Sequence, residues 1–143
     1  MGFVSITRDT RPVDPVQQAQ RGQLDALAIE LRQLHSLLLD AVKADYEKLN
    51  GKTNGPFHMF QLVTNDPFFQ WLRPLSGLMA NIDELTDEKR LLERSELEQI
   101  KSLVSTLLIK TEPTFGVNLD TRADSDNTIA VKRDGILGLL NSL

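Results

Sequence analysis

Two histidines, His35 and His58, are the side chains whose ordinary pKa lies near neutral pH, and no cysteine accompanies them. Without cysteine the chain has no thiol nucleophile, no thiolate metal site and no disulfide framework. A histidine-based metal bundle needs several ligands converging on one face, usually as Glu-x-x-His pairs, and no such pair occurs. The residues therefore point to no metal, no cofactor and no catalytic group. His35 lies in an apolar helical row, one turn from Leu31 and from Leu38. It reads first as a core or interface histidine with one hydrogen-bond partner from another segment, Asp66 or Asp83 being the candidates. The second reading makes it line a ligand pocket with Trp71, Phe68 and Tyr46. His58 opens a short helix and reads as a cap or surface residue.

Gly51-Lys52-Thr53 has the closing residues of a phosphate-binding loop. That motif needs a glycine five residues earlier, after a strand, so that backbone amides can wrap the phosphates. Tyr46 stands there, inside a helical pattern, so the tripeptide reads as a helix end. Residues 81–100 hold seven acids against three bases. A hard-cation loop places its carboxylates at tight spacing around a glycine. Here they are interleaved with Leu85, Leu91 and Leu92 and no glycine is present, so a solvated connector is the reading. This segment alone carries the whole net charge of −4. The rest is neutral, and no basic stripe exists to displace counterions from a nucleic acid.

The elements that would position these residues are helical throughout. Leu24, Leu27, Leu31, Leu34 and Leu38 recur at steps of three and four, beside the row Ala28, His35, Val42 and Leu49. This predicts one long helix over residues 16–50, with Gly51 as its left-handed cap. A short helix is expected over 57–64. A third, over 67–85, is opened by Asn65-Asp66-Pro67 and kinked at Pro74, with the Gln70 carbonyl left free. Ser95-x-x-Glu98 reads as a capping box for a fourth helix, which Glu112-Pro113 stops. Residues 114–127 read as loop. Residues 128–143 are apolar, with Gly135 and Gly138 arguing against a strong helix. Residues 1–15 read as an arm, and 16–143 as one domain. The expected fold is all-α: a small antiparallel helical bundle with one long N-terminal helix and a Pro-kinked central helix.

Five of the eight aromatic residues, Phe57, Phe60, Phe68, Phe69 and Trp71, fall within fifteen positions. They read as a knot where the second and third helices turn against the first. On an α-helical wheel Phe69 projects about 100° away from Phe68, onto a second face that needs a cover.

One pair of segments resembles a set of small bacterial helical proteins to which no activity is assigned. Leu34-His35, Leu38-Leu39-Asp40 and Tyr46-Glu47 form the first. The more specific second runs Asn65-Asp66-Pro67-Phe68-Phe69-Gln70-Trp71-Leu72-Arg73-Pro74-Leu75-Ser76 and on to Ile82-Asp83. The resemblance spans about residues 24–110. It implies an all-helical fold and nothing about catalysis.

No secretory signal pattern is visible at the start, and no run approaches the ~20 apolar residues of a membrane span. The expectation is a cytoplasmic protein with no membrane partner. A long first helix facing partners half its length predicts uncovered leucines, and hence a homodimer or a protein partner. Leu27 and Phe69 are the interface candidates. The function expected is non-catalytic binding, through self-association or a protein partner. The alternative is a small-ligand-binding or catalytic bundle with a pocket near His35 and Trp71.

Overall fold

The computed structural model describes residues 16, 18–88 and 90–143; the expected N-terminal arm, residues 1–15, lies outside them. The fold is all-α. Its helices are α1 (Gln18–Asn50), α2 (Gly55–Asn65), a 3-10 helix (Pro67–Leu72), α3 (Arg73–Asp87), α4 (Arg94–Leu108), α5 (Gly116–Ser125) and α6 (Asn127–Ser142).

The 33 residues of α1 span about 50 Å and form the spine. Leu24, Leu27, Leu31, Leu34, Leu38 and Val42 bury one face, at the spacing the sequence predicts. Gly51 ends the helix at φ +84°, a conformation glycine adopts without a Cβ clash, and its N–H donates to the Glu47 carbonyl at 2.9 Å. Coverage comes chiefly from α6 and α3, with the 3-10 helix beside them. Lys132 of α6 reaches Glu30 at 3.0 Å, Arg32 of α1 reaches Asp83 of α3 at 3.0 Å, and Arg122 of α5 pairs with Asp45. No single partner matches α1 in length; α3 and α6 cover it together. Leu24, Leu27, Leu31, Leu34 and Leu38 are therefore buried within one chain, whereas Leu49, the last member of the second row, is exposed.

The expected third helix divides. Residues 67–72 wind as a 3-10 helix, opened by Asp66, whose carboxylate accepts from the Phe68 N–H at 2.8 Å. The α-helical register begins only at Arg73. Pro74 thus stands in the first turn of α3, directly after the 3-10 turns, where its missing N–H is not needed. The Gln70 carbonyl is not free either, since it accepts the Arg73 N–H in the tighter i to i+3 pattern.

Three further boundaries differ from expectation. The capping box of α4 is Glu93 with Glu96, two residues before Ser95 and Glu98; the Glu93 N–H donates to Glu96 Oε1 at 2.9 Å. Residues 116–125 are helical where a loop was expected. Glu112 builds that start: its carboxylate accepts the N–H groups of Thr114, Phe115 and Gly116 at 3.1, 2.6 and 2.9 Å. Phe115, Leu119 and Ala123, one turn apart, bury its inner face. Finally, α6 is a full helix. Asp126 caps it through the Thr128 N–H at 2.9 Å, Ile129, Ile136 and Leu140 face the core, and its two glycines point outward.

Candidate functional site

His35 sits midway along α1 and is partly buried, with Nε2 3.1 Å from the Ser76 hydroxyl of α3. The partner is thus Ser76, not Asp66 or Asp83. Asp66 caps the 3-10 helix and Asp83 pairs with Arg32. The Ser76 hydroxyl also donates to the Leu72 carbonyl at 3.4 Å, four residues back at the end of the 3-10 helix. Burial lowers the His35 pKa from its ordinary value and so favours the neutral imidazole. A neutral imidazole beside a hydroxyl is the start of a nucleophilic dyad, which further needs a group orienting the ring and a cleft for substrate. Four open clefts on the surface lie elsewhere, at α3–α4, at the end of α1 and at α4–α6, and none of these four is lined by His35 or Ser76. What the pair visibly does is tie α1 to α3.

The other pocket candidates separate. Tyr46 and Phe68 meet edge to face, with ring centres 5.7 Å apart. Trp71 turns instead toward Phe115, at 5.6 Å, the residue that opens α5. Phe69 is fully buried against Tyr46 and Phe68, at 5.7 and 6.1 Å. The physical reason is the 3-10 winding. At about three residues per turn, Phe69 and Leu72 eclipse and share the inner face, while Phe68 and Trp71 share the next. An α-helical wheel rotates Phe69 outward. Leu27, like Phe69, is at 0 % exposure, so neither interface candidate is presented on the surface of this chain.

At the end of α1, Glu47 accepts from the Thr53 N–H at 2.8 Å and the Thr53 hydroxyl at 3.0 Å. Gly51-Lys52-Thr53 is thereby a stapled helix end. His58 caps the start of α2, its Nδ1 accepting the Asn54 N–H at 2.9 Å.

The surface that sequence reasoning missed is the outer face of α2. Met59, Leu62 and Val63 pack inward, at the i, i+3, i+4 spacing of a buried stripe. This turns Phe57 and Phe60 away from the core, at 73 % and 67 % exposure. Both were expected inside an aromatic knot. The spacing of the smaller apolar residues carried the opposite signal, since one face of an 11-residue helix cannot hold all five. No Asp, Glu, Lys or Arg occurs between Gly55 and Asn65. The outer face is completed by Gln61 and Thr64, both exposed.

No family model, curated protein or solved structure matches the chain. Among the described residues no helix is long and apolar enough to cross a membrane, and no group of three or more metal-ligating side chains comes together.

Proposed function

We propose that this chain is a small antiparallel helical bundle that acts as a non-catalytic interaction module, and that it pairs with a second copy of itself through the outer face of α2. The observation that carries the reading is the outward placement of Phe57 and Phe60 on a helix without charge. Exposed large aromatics in a contiguous patch mark binding surfaces, because water contact with each ring forfeits burial energy. A charged partner finds no complement on α2. Two identical uncharged faces meet without like-charge repulsion, and two-fold pairing is the commonest way to bury a self-complementary patch.

The magnitude sets the affinity range. Burying the exposed part of four phenylalanine rings, two from each copy, contributes about 4–8 kcal/mol at the usual coefficient for apolar area. Association itself costs about 4–15 kcal/mol, so the rings alone leave at most about 4 kcal/mol, a weak dimer of about millimolar affinity. Light scattering behind a sizing column tests this. At about millimolar concentration the native chain is expected to run above the 16.1 kDa of one copy. The Phe57→Glu, Phe60→Glu double variant should stay at one copy with an unchanged far-ultraviolet spectrum. A native chain that remains a single copy at the highest concentration refutes the self-association.

A further inference from the structure

Among the described residues glycine takes positive φ at two places, and asparagine precedes both: Asn50-Gly51 at +84° and Asn54-Gly55 at +82°. The dipeptide carries its own chemistry. A glycine amide nitrogen, with no side chain to crowd it, attacks the side-chain carbonyl carbon of the preceding asparagine and closes a succinimide ring. A Cβ added at either glycine would meet no atom within 4 Å, so bulk does not choose between the two sites.

Hydrogen bonds do choose. At the first site both reacting groups are engaged. The Gly51 N–H donates to the Glu47 carbonyl at 2.9 Å, and the Asn50 side-chain amide donates to the Tyr46 carbonyl at 3.1 Å. Attack there requires both bonds to break. At the second site neither group is held. Asn54 is the N-cap of α2, but its ψ of 56° lies outside the extended range from which a cap side chain reaches the first amides, and it makes no cap hydrogen bond. The Gly55 N–H opens α2, where no intrahelical acceptor exists, and it has no other acceptor among the described residues. The Asn54 N–H donates to His58 Nδ1 at 2.9 Å, a bond that engages neither reacting group. Both Asn54 and Gly55 are exposed. Charge works in the same direction. Gly55 lines an open hollow of about 530 Å³ with Lys43, Lys52 and Glu47. Two cations against one carboxylate leave a positive surplus, which favours the ionised nitrogen that attacks and the carboxylate that results.

We propose that Asn54-Gly55 is a site of spontaneous modification at the start of α2, and that Asn50-Gly51 is its protected counterpart. The Gly55 nitrogen gives up its proton and bonds to Asn54 Cγ. The Cγ–Nδ2 bond breaks, and Nδ2 leaves with a proton as ammonia. Water then opens the ring. Opening at Cγ leaves an aspartate at position 54, and opening at the backbone carbonyl leaves an isoaspartate. Water is the one co-reactant, and nothing is oxidised or reduced. Residues 53–65 hold no Asp, Glu, Lys or Arg, so either product brings this segment its first fixed charge, three residues before the exposed Phe57. This inference is independent of the pairing through α2.

Site-resolved mass spectrometry tests it. Trypsin cuts after Lys48 and Lys52, so the two asparagines fall in different peptides. The full-length chain is incubated folded at mildly alkaline pH, then digested. The peptide that begins at Thr53 should gain the mass of an amide-to-acid exchange at least about tenfold faster than the peptide holding Asn50, since each bond at the first site imposes a several-fold delay. In denaturing urea both sites lose their surroundings, and the two rates should converge. Asn54→Gln, which closes only a larger and slower ring, should abolish the change in its own peptide and leave the rate at Asn50 as it was. Comparable rates at the two asparagines in the folded chain would overturn the proposal. So would a folded Asn54 that holds still while the denatured chain converts, or a gap between the sites that persists in urea.

Discussion

Replacing Phe69 by alanine separates a core residue from a docking residue. Its side chain is fully buried, with the tilted rings of Tyr46 and Phe68 packed on it at 5.7 and 6.1 Å between centres, and Leu72 shares its face of the 3-10 helix. Truncation removes the burial of a whole ring and leaves a cavity that neighbouring aromatics fill poorly, a combination worth about 3–5 kcal/mol. Against the roughly 5–15 kcal/mol that holds a domain of this kind together, that is a large fraction. Urea denaturation followed by far-ultraviolet circular dichroism reads it. With a slope of about 2 kcal/mol/M the midpoint should fall by about 2 M. The thermal midpoint should fall by about 10–15 °C for a chain of this length. Phe60→Ala, at an exposed position, is the matched control and should change stability by no more than about 0.5 kcal/mol. A Phe69→Ala midpoint within about 0.3 M of the native value would refute the argument that 3-10 winding seats the ring in the core. Leu27→Glu follows the same logic, and places a charge at a fully buried position. It should unfold the chain rather than dissociate a dimer, visible as loss of helical signal and not only of mass.

Other consequences follow from the same packing. Gly135→Ala and Gly138→Ala, at exposed helical positions with open space around them, should each add about 0.5–1 kcal/mol, read as a higher thermal midpoint. Gly116→Ala should do the opposite, by about 1–3 kcal/mol, because its Cβ would lie 1.7 Å from the Ile109 carbonyl oxygen; an unchanged urea midpoint would contradict it. Burial holds the His35 pKa below 6.5 in the folded chain, so the unfolded chain binds the proton more readily. Stability is then fully present above pH 6.5 and declines as the pH falls through the folded pKa, and His35→Gln should flatten that decline in urea midpoints measured between about pH 7.5 and 5.5. Glu96 acts in a separate window: hydrogen bonds from Arg90 and the Glu93 N–H hold it at about 2, so its contribution is lost only as the pH falls from 4.5 toward that value.

Apolar periodicity alone specified α1, the inward rows of α3 and α4, and the all-helical class, because burying a stripe every three to four residues leaves few other solutions. The left-handed end at Gly51 and the cap at Asp66 were equally local, since each depends on one residue's backbone freedom or one short side chain. Tertiary structure decided the remainder. Phe69 faces inward because six residues wind at three per turn, a choice made by packing against Tyr46 and not visible in side-chain spacing. The helix at Gly116–Ser125 needed Glu112 to cap three amides and Trp71 to receive Phe115 from 44 positions away. Coverage of α1 rested on α6 reaching Glu30 across 102 residues, which turned apparently orphaned leucines into core. Phe57 and Phe60 were left outside by the same competition, because α2 has one inner face and Met59, Leu62 and Val63 fill it. Sequence spacing names the residues that must be covered; which segment covers them, and which aromatics are left facing water, depends on contacts between residues far apart in the chain.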